Sequence, residues 1–224
     1  MQVKGVIDSI NFGSESFEYL FNKEDYIIET VKDLAIFNPK RWSETFGKAL
    51  TKNIIEAKII HTSMGLVIPL KRYAVKPQRQ IIEFTGLYGY NDKSKLLRQL
   101  LQELLEQLKN SYIVRIDIAI DFKGKVPNKI IKSLCKHREA FNPNGWNTTY
   151  YKTKTEKKTN ATIDIKKYNK AKKANLSYEL DRLEFVFKGQ YLNKLQYKDV
   201  SKIFKKMKKS IKKFSGISIK IDSF

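Results

Sequence analysis

The chain has 224 residues, 44 Lys and Arg against 23 Asp and Glu, a formal net charge of +21 and 42% hydrophobic residues, which suits one ordinary domain or two small ones with a real core. Its single cysteine excludes a disulfide framework and a cysteine-built zinc site. Its two distant histidines, His61 and His137, exclude a histidine-rich metal cage, and no apolar run is long enough to span a membrane. The basic residues are 37 Lys and 7 Arg, a bias that AT-rich codon usage produces in any protein. Acidic residues are not correspondingly enriched, so the surplus still points to a polyanionic partner, with nucleic acid ahead of an anionic membrane surface.

The opening MQVKGVIDSINF reads as a strand and not as a signal peptide, which predicts a cytoplasmic protein. Between Lys23 and Asn53, residues Ile27, Ile28, Val31, Leu34 and Ala35 fall at helical spacing until Pro39 interrupts them. Ile54–His61 and Leu66–Leu70 suggest a hairpin through Thr62-Ser63-Met64-Gly65, and Gln80–Thr85 a third strand. Asp92–Asn110 carries the strongest helix signal: Asp92 or Ser94 can cap it, and seven leucines between Leu96 and Leu108 share one face. Tyr112–Phe122 reads as a buried strand, and Lys129–His137 as a helix after Pro127. Asn147–Lys152, Ala161–Tyr168 and Tyr178–Lys188 read as strands, the first two joined by a polar, basic loop over Thr153–Asn160. Tyr197–Phe214 is an amphipathic helix, and Gly216–Asp222 a closing strand. This order predicts an α+β fold with a central, mainly antiparallel sheet flanked by helices on one face. No linker stands out, so residues 1–224 are read as one domain, with structural halves at about 1–91 and 92–224.

Side chains alternate faces along a strand, so Ile116, Ile118, Ile120 and Phe122 point one way, and Arg115, Asp117, Ala119 and Asp121 the other. In Asp181–Lys188, Arg182 and Glu184 likewise stand opposite Leu183, Phe185 and Phe187. If these strands pair with polar faces aligned, Asp117, Asp121 and Glu184 converge into an all-oxygen site suited to Mg²⁺ or Mn²⁺. The alternative is an arginine–carboxylate ladder between neighbouring strands. Tyr168 stands at a strand end among Lys166, Lys167, Lys170 and Lys172. Nearby ammonium groups would favour its phenolate and hold a phosphate; the bland reading is an aromatic cap in a solvated basic turn.

Four segments, taken in order, resemble the replication-initiation proteins of the Rep_trans type, found on rolling-circle plasmids and phages and related to mobile-element relaxases. They are Gly5-Val6-Ile7-Asp8; Ile82-Glu83-Phe84-Thr85-Gly86; Arg115-Ile116-Asp117-Ile118-Ala119-Ile120-Asp121; and Tyr168-Asn169-Lys170 followed by Arg182-Leu183-Glu184. The resemblance implies a nickase-type fold and an enzyme that cuts one DNA strand at an origin. A tyrosine would form a 5′-phosphotyrosyl link and leave a 3′-OH to prime synthesis. It implies Tyr168 as nucleophile and Asp117, Glu184 and Asp121 as ligands of the divalent ion. Arg115, Arg182 and Lys170 would bind phosphate or support the acidic cluster. The partner would be single-stranded or extruded origin DNA, with a host helicase and a second copy of the chain as further open partners.

A basic groove lined by Trp146, Tyr150 and Tyr151, with Lys166, Lys167 and Lys172, would hold the unpaired strand by stacking and phosphate contact. Tyr150 and Tyr151 also stay open as nucleophiles. Lysines from Lys202 to Lys213, including Lys205, Lys206 and Lys209, crowd the outer face of the last helix, where a phosphate backbone would relieve their repulsion. Two rival functions remain: a noncatalytic DNA-binding protein that organises an origin or recombination site, and an RNA-binding module. The His-x-His metal motif of the two-histidine nickases is absent from this sequence.

Overall fold

A computed structural model describes residues 2–143, 147–153 and 163–222. In chain order these form β1 (Gln2–Ser14), β2 (Tyr26–Lys32), α1 (Pro39–Phe46), β3 (Ile54–Thr62), β4 (Val67–Tyr73), β5 (Lys76–Thr85), α2 (Asp92–Leu108) and β6 (Tyr112–Lys123). Then follow α3 (Asn128–His137), β7 (Arg138–Phe141), β8 (Thr148–Thr153), β9 (Ile163–Asn169), α4 (Lys170–Ala174), β10 (Leu180–Lys188), α5 (Val200–Ser215) and β11 (Ser218–Asp222).

One sheet runs through the described residues in the order β2-β3-β4-β5-β1-β6-β10-β9-β8-β7. Every neighbouring pair is antiparallel except β11, which lies parallel to the first residues of β1. The long strand β1 sits at the centre because Ser9–Ser14 pairs with β5, Gln2–Val6 with β11, and its other edge with β6. The fold is therefore α+β with a mainly antiparallel sheet.

The apolar registers of β6 and β10, Ile116-x-Ile118-x-Ile120 and Leu183-x-Phe185-x-Phe187, face a single large core. Leu100, Leu101, Leu104 and Leu108 of α2, Ile130 and Leu134 of α3, and Met207 and Ile211 of α5 close that core. The hairpin turn expected at 62–65 joins β3 to β4, and Gly65 takes the left-handed conformation it needs (φ 72°).

Two expectations fail. The helical spacing over residues 27–35 belongs to a strand, β2, whose half-buried residues pair with β3; cross-strand pairing overrides a loose local pattern. Pro39 opens a helix, taking the first position of α1 behind the Asn38 cap. The helices also do not all lie on one face. Trp42 of α1 packs with Val31, Ala57 and Ile59 on the opposite face, at the β2–β4 end of the sheet, and so walls one side of the open polar surface.

Candidate active site

The floor of the site is the polar face of β6, β10 and β9. Their register sets Glu184 beside Ala119 and Lys166, Val186 beside Asp117, and Arg182 between Asp121 and Tyr168. Glu184 therefore lies diagonally between Asp117 on one neighbour and Tyr168 on the other. The Tyr168 hydroxyl donates to Glu184 Oε2 (3.0 Å), Lys166 Nζ lies 2.6 Å from Glu184 Oε1, and the Asp117 and Glu184 carboxyls are in hydrogen-bonding contact. Arg115 donates from Nε and Nη2 to the two oxygens of Asp117 (2.7 and 2.6 Å).

Burial dominates the acid–base behaviour here. It pushes Asp117 up to about 6 against the pull of Arg115, with the neighbouring Glu184 charge adding to the rise. Glu184 is also desolvated, but the Lys166 ammonium and the bonds from Asp117 and Tyr168 hold it below the usual carboxylate range. Tyr168 is only 6% exposed. Burial and then the Glu184 charge drive its phenol well above the ordinary value, so the expectation that surrounding lysines favour the phenolate is overturned. Lys173 Nζ does sit 5.1 Å from the ring, but the nearest charge to the hydroxyl is a carboxylate.

The three expected metal carboxylates do not converge. Asp121 is four residues from Asp117, about 13 Å along the strand, and is taken by Arg182, whose Nε and Nη2 donate to its two oxygens (2.6 and 2.7 Å). Among the described residues no group of three or more His, Cys, Asp or Glu side chains is placed to hold a metal ion. Arg182 is fully buried. Its Nη1 lies 2.9 Å from Asp8 Oδ1, and its Nη2 also donates to the Tyr88 carbonyl. Of the two roles considered for Arg182, this geometry suits supporting the acidic cluster and leaves no face for phosphate.

Asp8 was not singled out from sequence, although it closes the Gly5–Asp8 segment. Its backbone carbonyl accepts from Gly86 and Leu87 and its carboxylate from the Tyr88 amide, which ties the 86–90 segment to the sheet. Tyr90 was also missed; its hydroxyl donates to Asp121 Oδ2 (2.7 Å) at the rim.

Over this floor lies a cleft of roughly 760 Å³. It is lined by seven cationic side chains (Lys48, Lys71, Lys93, Arg115, Lys166, Lys170 and Lys173) and four acidic ones (Asp8, Glu83, Asp117 and Glu184). Lys71 is buried and held by Glu83, with the Trp42 ring beside it. Lys170 is buried too, with no ion pair among the described residues; its ammonium lies 5.9 Å from the Tyr90 ring, and burial, then the Arg182 charge, lowers its pKa. Lys170 and Lys173 are three residues apart in the short helix α4, capped by Asn169, a spacing that could have paired them from sequence.

The remaining expected DNA contacts separate by strand parity. Lys166 and Tyr150 face each other across β9 and β8 on the open side. Lys167 projects to the opposite face and lies 3.3 Å from Asp181 Oδ2, so it is not part of the cleft. Tyr151 pairs with Ile165 and points into the main core, on the face of the sheet away from the cleft, which removes it both as a stacking platform and as a nucleophile. Lys172 is exposed on α4 outside the cleft lining. Lys205, Lys206 and Lys209 are exposed on α5, across the sheet from the cleft. Trp146 and most of the 153–160 loop lie outside the described residues.

No helix among the described residues is long and apolar enough to cross a membrane. No protein-family model matches the chain, and no curated protein matches it. A solved structure, that of the rolling circle replication initiator protein from Geobacillus stearothermophilus, is similar over 92% of this chain and 80% of that one, with a TM-score of 0.50 at 13% identity. The chain thus shares the fold of that structure, a mainly antiparallel sheet with flanking helices.

Proposed function

We propose that the chain is a replication initiator that nicks and rejoins a DNA strand through a tyrosine, acting on single-stranded or extruded origin DNA. The observation that carries this reading is the Tyr168–Glu184 hydrogen bond on the floor of a basic cleft. Tyr168 Oη attacks the phosphorus while its proton passes to Glu184, so no free phenolate has to form first. The bond from phosphorus to the 3′ oxygen breaks and a 5′-phosphotyrosyl link remains. The 3′ oxygen leaves as a hydroxyl after taking a proton from Lys170, whose lowered pKa suits it as an acid. Reversal of these transfers rejoins the strand.

Asp117 and Glu184 fit a hard divalent cation. Two desolvated carboxylates in contact, one pushed toward its protonated form, are a pair that a cation would stabilise in place of the proton. Mg²⁺ or Mn²⁺ bound there would draw charge from the phosphate oxygens as a Lewis acid. Arg115 orients Asp117, and Arg182 fixes Asp121 and Asp8 so that the 86–90 segment forms a firm rim. The field of the cleft draws the DNA strand in, and Tyr150 on the same face offers a base a surface to stack on.

The test is a labelled single-stranded origin oligonucleotide from the host element, incubated with protein and Mg²⁺ or Mn²⁺ and resolved under denaturing conditions. A covalent adduct mapped to Tyr168 is the expected result. Binding of the same strand with no adduct under any divalent ion would leave the noncatalytic DNA-binding reading in its place.

A further inference from the structure

A second cleft, of roughly 930 Å³, opens on the same sheet face beyond Arg115, and no acidic residue among the described ones lines it. Lys76, Arg79, Lys188 and Lys194 supply its charge, and Tyr112 its aromatic surface. The two clefts differ in how their cations are held. In the first, Arg115, Lys166, Lys71 and Lys48 each face a carboxylate, and Lys93, Lys170 and Lys173 share the hollow with its four acidic side chains. In the second, Lys188 alone has an acidic partner, Asp164, while Lys76, Arg79 and Lys194 have none among the described residues. Unpaired cations gathered in one hollow repel one another unless a polyanion lies among them.

Two backbone features build this hollow. Opposite Asn11 and Phe12, β6 carries one extra residue: Asn11 pairs with Arg115, but Phe12 pairs with Ile113. The bulge at Val114 shifts the alternation, so Ile113 turns into the core and Tyr112, 37% exposed, turns out onto the open face. Across from Tyr112 stands Gly13. A Cβ there would come within 2.8 Å of Arg79 Cδ and 3.0 Å of Val114 Cγ1. Glycine at this point lets the Arg79 side chain cross β1 and lay its guanidinium over the Tyr112 ring, 5.0 Å from the centroid.

We propose that this Arg79–Tyr112 platform is a second single-stranded DNA subsite. A base stacks on the platform, and Lys76, Lys188 and Lys194 take the phosphates beside it. Asp117 and Tyr112 lie opposite Ser9 and Gly13, four steps apart on β1 because of the bulge, which is about 13 Å, so one strand passing through the first cleft reaches the second within a few nucleotides. The subsite rests on reading the first cleft as a single-strand site, and it sets the length and direction of the strand that the protein grips on one side of the cut. Stacking on it is tolerant of base identity, so it anchors the strand without selecting its sequence.

The experiment measures fluorescence anisotropy of the full chain with a labelled oligothymidylate long enough to span both clefts, against salt concentration. Tyr112→Ala should weaken binding by about 5- to 100-fold, and Lys76→Gln and Lys194→Gln should each lower the log–log salt slope by about 0.7. Shortening the oligonucleotide from one end should weaken wild-type binding and leave Tyr112→Ala unaffected over the same nucleotides. Wild-type affinity and salt slope in all three variants would overturn the subsite, as would equal losses on a duplex of matched length. If circular dichroism shows that Tyr112→Ala is misfolded, the two exposed lysines decide. The nicking chemistry is read separately, from the covalent adduct of the wild type: an absent adduct sinks the proposed enzyme without touching these binding measurements.

Discussion

The Tyr168 hydroxyl and the Glu184 carboxylate meet at 3.0 Å across the β9–β10 pair, on a face where both side chains are almost shut off from water. Their meeting is diagonal: Tyr168 stands opposite Arg182, and Glu184 opposite Lys166. Glu184 is thus one residue pair away from Tyr168, and Lys166 fixes its second oxygen. Such burial leaves a phenol that resists ionisation, so in the proposed mechanism attack by Tyr168 is coupled to transfer of its proton.

Tyr168→Phe should abolish the covalent adduct while leaving single-strand affinity within about twofold, a change under 0.5 kcal/mol. The lost hydroxyl leaves Glu184 still paired with Lys166, so the expected destabilisation is only about 1 kcal/mol, read by urea denaturation. Tyr150→Phe, on the same face, should keep the adduct. An adduct that survives in Tyr168→Phe and disappears in Tyr150→Phe would move the nucleophile to β8.

Asp117 and Asp121 should separate in mutagenesis, although they look equivalent in sequence. Asp117→Ala and Glu184→Ala are expected to abolish adduct formation with DNA binding largely kept. Asp121→Asn should retain adduct formation, because Asp121 serves Arg182 and Tyr90. Arg182→Met should be the costliest change of the set for stability. It leaves Asp8 and Asp121 without the buried guanidinium between them, at about 3–5 kcal/mol, seen as a lowered denaturation midpoint. Equal loss of cleavage in the Asp117 and Asp121 variants, with stability intact, would restore the three-carboxylate site.

The division between what could and could not be read in advance follows the range of the interactions. The alternation Arg115-Ile116-Asp117-Ile118 and the leucine face of α2 are local periodicities, and both elements form as read. Which polar residues meet on that face depends on register between strands far apart in sequence. Arg182 could equally have faced Asp117, and its claim on Asp121 comes only from the β6–β10 pairing. Tyr150 and Tyr151 are neighbours with the same chemistry, and a single residue of parity buries one and exposes the other. The Val114 bulge has no local signature at all, yet it decides that Tyr112 faces out. Asp8 and Glu83 lay within recognised segments, but their partners, Arg182 and Lys71, come from other strands.

The acid–base state of Asp117 makes a stability prediction. Its folded-state pKa, about 6, lies above its ordinary value of 3.8. Between these limits the native chain holds a proton that the unfolded chain has released, so this group's contribution falls as pH rises through the window and stays lost above it. Glu184, lowered from 4.5, works in the opposite sense at the acid end. From about pH 5 to 6.5 the Asp117 effect should prevail in metal-free buffer, and Tm should fall with rising pH. Mg²⁺ or Mn²⁺ should raise Tm at about pH 7.5 far more than at about pH 5, because metal and proton compete for the same carboxylate. The difference should vanish in Asp117→Asn. A metal-induced rise of equal size at both pH values would place the ion elsewhere.

The lysines of α5 yield the last prediction. Met207 and Ile211 bury the inner side of this helix in the core beneath the sheet, so its outer lysines face away from the cleft. Lys202 is paired with Asp199, and Lys206 and Lys213 lie against the rings of Tyr191 and Phe214. Lys205 and Lys209 are exposed without such contacts among the described residues. A strand threading the cleft cannot reach them from the other side of the sheet, but duplex DNA flanking the extruded segment can wrap to that side. Lys205→Glu with Lys209→Glu should therefore flatten the salt dependence of binding to a duplex-flanked substrate, by about 0.9 in the log–log slope per lost phosphate contact. Binding of a short single strand should keep its slope. An unchanged slope on the duplex-flanked substrate would reduce the helix to a solvated face, and an equal change on both substrates would show that the charge acts only through the long-range field.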